Sequence, residues 1–99
     1  MKRFILASLV AYGSTHALAD GDFSCNAPDA NQWKELSALN KKLWMEDLEA
    51  IKTQVKGDCF EAYGRNAQGQ LLEIFYHPVT LEKLLVLRRG KEVFRKEGR

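Results

Sequence analysis

GDCFEAYGRNAQGQLLEIFYHPVTLEK, residues 57–83, decides the fold, because its alternation and its central turn together admit one strand pairing. Asn66-Ala67-Gln68-Gly69 suits a type I turn followed by a left-handed glycine, which makes Asn66 and Gln70 partners. Counting back from the turn, Gly64 faces Leu72, Ala62 faces Ile74 and Phe60 faces Tyr76. Every residue on that face is apolar, aromatic or glycine. A two-residue or four-residue loop would slip the register and carry Glu73 into the apolar set, so the burial pattern itself selects the bulged turn. The opposite face carries Cys59, Glu61, Tyr63, Arg65, Leu71, Glu73, Phe75 and His77. Charges stand beside aromatics there, as expected of a sheet face open to solvent or to a partner.

Upstream, PDANQWKELSALNKKLW opens with Asp29 as N-cap and Gln32 three residues on, the spacing of a capping box. Trp33, Leu36, Leu39 or Asn40, and Leu43 recur every three to four residues, so a helix is predicted over 29–46 with one apolar stripe. Trp33 and Trp44 are read as core and edge packing. The segment 49–55 is ambiguous, since Leu48, Ile51 and Val55 could prolong the helix, but Ile51, Thr53 and Val55 alternate and all three are β-branched, which favours a strand. Downstream, LEKLLVL supplies a last strand over 82–88, and residues 89–99 read as a basic tail. The expected fold is α+β: one N-terminal helix packed on an antiparallel sheet of about four strands.

The amino terminus, MKRFILASLVAYGSTHALAD, reads as a secretory signal over 1–19. Lys2 and Arg3 precede an apolar stretch, and Ala17-Leu18-Ala19 is the small-x-small pattern cut before Asp20. His16 belongs to that signal and enters no site. The full chain has 15 basic and 13 acidic side chains, and loss of Lys2 and Arg3 leaves 13 of each. An exported chain without net positive charge is not built for nucleic acid, and no other apolar run is long enough to insert stably in a membrane. The expected location is the periplasm, or the medium, after cleavage at Ala19–Asp20. Residues 20–28 form an acidic arm ahead of a domain over 29–88.

Both cysteines, Cys25 and Cys59, fall in the exported part. Paired, they would close a loop of about 35 residues, stabilising the fold by roughly 4 kcal/mol; two free thiols are the alternative. No CxxC spacing supports a redox role.

The ordered combination of a helix entered through Trp33, the Gly-x-Cys-aromatic-Glu-x-Tyr strand at 57–63, the Asn-x-x-Gly turn and the strand LLEIFYHPVTLE resembles the PepSY superfamily, in particular its small exported members. The resemblance covers about 25–87 and implies one helix on an antiparallel sheet. Related domains occur in propeptides of thermolysin-like secreted metallopeptidases, which they inhibit or chaperone, and in germination and membrane-associated proteins. Two positions depart from the family's pattern. His77 stands where Asp or Asn commonly precedes the proline, and Leu81 stands where Thr-Gly-Glu has its glycine.

Several chemistries can be weighed on these residues. Cys25, Cys59 and His77 are the sharpest candidates for a metal, but structural zinc takes four ligands, and two of these three are better explained as a disulfide. Cys59 with His77 as nucleophile and base would need a reduced thiolate and an orienting third group. Glu61 and Glu73 resemble an acid–base pair, yet Glu73 falls opposite Tyr63 and diagonal to Arg65, an arrangement that stabilises sheets. The reading is therefore a non-catalytic binding module with neither metal nor cofactor. Its partner is a protein or peptide, with restraint of an exported peptidase as the specific form. The expected contact is the face of Glu61, Tyr63, Arg65, Glu73, Phe75 and His77, or an exposed strand edge. The competing reading is an accessory structural protein of an envelope redox or membrane complex.

Overall fold

A computed structural model describes residues 23–99. The expected signal over 1–19, its cleavage point and residues 20–22 lie outside the described residues. Five antiparallel strands follow one helix: α1 (Leu36–Met45), β1 (Glu49–Lys56), β2 (Cys59–Arg65), β3 (Leu71–Tyr76), β4 (Lys83–Arg88) and β5 (Lys91–Arg95), paired in sequence order. The fold is α+β, with one strand more than expected. Among the described residues no helix is long and apolar enough to cross a membrane.

The central hairpin has the register that the sequence dictates. Phe60 pairs with Tyr76, Ala62 with Ile74, and Gly64 with Leu72. Gly69 adopts φ 79°, the left-handed conformation the bulged turn requires. Asn66 closes the loop, its backbone N–H donating to Gln70 O (3.0 Å) and its Oδ1 accepting the N–H groups of Gln68 and Gln70.

The helix is shorter than its periodicity implies. Ala30–Gln32 forms one 3₁₀ turn, Trp33 and Glu35 are extended, and α1 starts only at Leu36. Asp29 caps no N–H through its side chain. Tertiary contacts outcompete the capping box. The Trp33 indole N–H donates to Pro28 O (2.9 Å), its ring meets Phe60 edge-on at 5.9 Å, and the Lys34 N–H donates to Pro78 O (2.9 Å). A ten-residue helix is marginal alone, so α1 depends on burying Leu39 and Leu43 against the sheet. It ends in a Schellman motif: Asp47 is left-handed at φ 62°, and the N–H groups of Leu48 and Asp47 return to the carbonyls of Leu43 and Trp44. That stop resolves the ambiguity at residue 49 in favour of the strand. Trp44, read as edge packing, is 76% exposed.

The sheet is covered on both faces. On the helix face, Leu39 and Leu43 pack with Phe60, Ala62, Ile74, Tyr76, Leu81 and Val86. The buried Tyr76 hydroxyl donates to Glu46 Oε1 (3.2 Å); burial and the Glu46 charge push its pKa up. The other face holds a second cluster, the Cys25–Cys59 disulfide with Phe75, Leu84, Leu85 and Leu87, against which Phe23 packs. β4 explains both layers. Leu84, Leu85, Val86 and Leu87 are all buried, a continuous apolar run that belongs to an inner strand covered on two sides. β5 supplies the missing neighbour within the stretch expected as a tail. It is reached through a two-residue turn in which Arg89 (φ 55°) and Gly90 (φ 78°) are both left-handed.

Candidate functional site

The six residues expected on one partner-binding face divide into three groups. Glu61 and Phe75 pair across β2 and β3 and are fully buried. The expectation that the sheet lies open at these two positions is thus corrected: the arm covers Phe75, and Glu61 is buried with Gln54 bonded to it. Phe23 packs on Phe75 with ring centroids 5.5 Å apart, and the disulfide ties Cys25 to Cys59 beside Glu61. Asp58 fastens the same arm, its carboxylate accepting the N–H groups of Cys25 (2.9 Å) and Ala27 (3.1 Å) and the Ser24 hydroxyl (3.0 Å). The carboxy-terminal residues complete the cover. Arg95 pairs with Glu92 and lies 5.5 Å over the Phe23 ring, and Arg99 donates to Cys25 O (2.8 Å). A cleft of about 530 Å³ remains between arm and β5, lined by Phe23, Asn26, Leu87, Glu92 and Arg95 among others.

Tyr63, Glu73 and Arg65 form the second group, at the far end of the same face. Tyr63 and Glu73 are half-buried and paired, with the hydroxyl donating to Glu73 Oε2 at 3.4 Å. Arg65 is exposed, bonded to Gly69 O (3.3 Å) and 4.0 Å from Glu49. Beside this pair lies a shallow hollow of about 180 Å³ that also takes in Leu71, Leu87 and Arg89.

Glu61 is the one buried acid among the described residues. Gln54 Nε2 donates to its Oε1 at 2.7 Å, while Oε2 has no hydrogen-bond partner. Such an orphaned acceptor costs about 1–3 kcal/mol. No thiolate stands beside it, because Cys59 is oxidised; the same bond removes both sulfurs from metal ligation, although Cys25, Asp58 and Cys59 lie together.

His77 is the third group. It leaves β3 for the β3–β4 connection, where its Nδ1 accepts the N–H groups of Val79 (3.1 Å) and Thr80 (3.4 Å). Nδ1 is thereby engaged in the turn, and Cys59, held in the disulfide, offers no thiol for the imidazole to activate. Asp58, the arm's cover and β5 are the features that reading the sequence missed. The nearest signal was the unbroken apolar run of β4, together with an acid immediately before Cys59.

A family model described as peptidase propeptide and YPEB domain matches residues 3–84. The chain belongs to the PepSY family. No curated protein and no solved structure matches it. PepSY domains are generally non-catalytic propeptide-like modules that bind proteins such as peptidases, and a disulfide fits an exported member.

Both departures from the PepSY turn now have a physical account. An Asp or Asn before the proline closes an Asx-turn by accepting the N–H two residues on, and His77 Nδ1 makes that same bond. Leu81, at the glycine position, adopts φ 62°, a conformation that costs a residue with a Cβ about 1–2 kcal/mol. Its side chain is 9% exposed and packs in the helix-face core, which offsets the strain. His77→Asn should leave stability within about 0.5 kcal/mol, and His77→Ala should lose about 1 kcal/mol, both read from urea unfolding at neutral pH. Equal losses in the two variants would show that the Nδ1 bond contributes nothing.

Proposed function

We propose that the protein is an exported, non-catalytic binding module that restrains an exported peptidase, acting in the periplasm or medium after cleavage at Ala19–Asp20. The observation that carries this reading is the match to a peptidase propeptide domain over residues 3–84. A propeptide-type restraint needs a rigid scaffold and an accessible contact, not a reacting group. The scaffold here is a two-layered sheet pinned by a disulfide. Accessible contact surface lies at Tyr63, Arg65 and Glu73 and along the outer side of β1, whereas Glu61 and Phe75 are buried and offer none.

The test is inhibition. The purified oxidised protein is titrated into the exported peptidase fraction of its own host, and hydrolysis of a general fluorogenic peptide is followed. Saturable loss of activity, with a peptidase recovered on the immobilised protein, is the expected result. Unchanged hydrolysis at large molar excess, with no peptidase retained, sinks the reading.

A further inference from the structure

The sheet ends in two strands that are unpaired on their outer sides among the described residues, β1 and β5, and the two are not equivalent. β5 is five residues long, its pairing with β4 is interrupted between Glu92 and Phe94, and its Arg95 is committed to Glu92 and to Arg99 O. A bulged, charge-locked edge is a poor template for another strand. β1 differs. Its last five residues, Lys52 to Lys56, run in unbroken register against Tyr63 to Cys59.

The pairing also sorts the side chains. Lys52, Gln54 and Lys56 pair with Tyr63, Glu61 and Cys59 and lie on the arm side, while Thr53 and Val55 pair with Ala62 and Phe60 on the helix side. Neither lysine has an ion-pair partner among the described residues. On the helix side, Val55 is 52% exposed. The Asn40–Thr53 hydrogen bond sets α1 alongside the strand.

We propose that the outer edge of β1 is a strand-acceptor site for an extended segment of another protein. That segment carries acidic side chains four residues apart, opposite Lys52 and Lys56, and apolar ones opposite Thr53 and Val55. The proposal rests on the binding-module reading and gives it a place and a ligand chemistry. Main-chain hydrogen bonds supply the affinity, and the alternating side chains supply selectivity. A second copy of this chain is the wrong occupant. Two β1 edges paired over the same five residues would set Lys52 of each copy against Lys56 of the other, a like-charge contact repeated twice.

The probe is a capped nine-residue peptide with Glu-Val-Thr-Val-Glu at its centre. One control replaces both acids by lysine, and another replaces the central threonine by proline. Backbone amide shifts of the oxidised protein are expected to move over 52–56 and not over 91–95. Lys52→Glu with Lys56→Glu should weaken binding by roughly tenfold and should confer binding of the lysine peptide. No binding at millimolar peptide, equal binding of the controls, or shifts centred on β5 overturns the proposal. The peptidase assay separates the two readings. A protein that binds the peptide at β1 but restrains no peptidase loses the function proposed above and keeps the acceptor edge. Restraint that survives the double reversal undiminished removes the edge alone.

Discussion

Replacing Cys25 and Cys59 together by alanine is expected to lower the unfolding free energy by about 4 kcal/mol and to release the arm. The bond spans 34 residues and joins the arm to the first residue of β2, so its loss restores most of the closed loop's entropy to the unfolded chain. A domain of this size has only about 4–12 kcal/mol in total, which makes this a large fraction. Under the released arm lies a cluster, Phe75, Leu84, Leu85 and Leu87, which among the described residues is covered by Phe23 and the carboxy-terminal residues. The variant should therefore bind a hydrophobic dye that the parent does not.

What remains to hold the arm is the Phe23 packing, the Arg99 bond to the residue 25 carbonyl, and Asp58. Burial raises the pKa of its carboxyl, but the N–H groups of Cys25 and Ala27 and the Ser24 hydroxyl outweigh that and hold it below the ordinary value. A depressed carboxylate stabilises above its unfolded value and loses that contribution as pH falls through its folded value. Dye binding by the alanine variant should accordingly rise on acidification below the ordinary aspartate range, and the oxidised parent should resist longer. A stability loss under about 1 kcal/mol, with no dye bound, would show that the arm is held without the bond.

Phe60→Ala should cost about 4 kcal/mol, close to unfolding the domain. The ring is 2% exposed, meets Trp33 edge-on, and belongs to the cluster that holds Leu39 and Leu43. It is thus the point where β2, α1 and the extended Trp33 segment share one contact. Trp44→Ala is the matched control. That larger side chain is 76% exposed, and its removal should change stability by no more than about 0.5 kcal/mol. Urea unfolding followed by tryptophan fluorescence reads both. A Phe60→Ala loss below about 2 kcal/mol would mean that Trp33 collapses into the space, and that its packing is not tied to the hydrogen bond with Pro28.

The residues differ in how far their roles can be read without coordinates. The β2–β3 register was legible because the turn at Asn66–Gly69 and the apolar alternation of Phe60, Ala62, Ile74 and Tyr76 are local and mutually consistent. The start of β1 was nearly so, since Asp47 stops the helix by local geometry. The helix starts later than its periodicity implies because the capping signal at Asp29 competes with Trp33 and Lys34, whose partners, Phe60 and Pro78, are distant in sequence. β5 was obscured by its charges. All five of its residues are exposed, so no burial period marks it, and its one trace in the sequence is the unbroken apolar run of its neighbour β4.

The candidate face follows the same division. That Glu61, Tyr63, Glu73 and Phe75 share a side of the sheet is a consequence of period two, and the sequence alone determined it, along with the hairpin register and the family. Which of them meet solvent was decided only in the folded chain. The arm reaches its place through a disulfide across 34 residues, and Arg99 seals it through a bond to Cys25 across 74. Alternation tells which side a residue faces. What lies over that side depends on contacts between segments far apart in sequence, whose pairing no local pattern encodes.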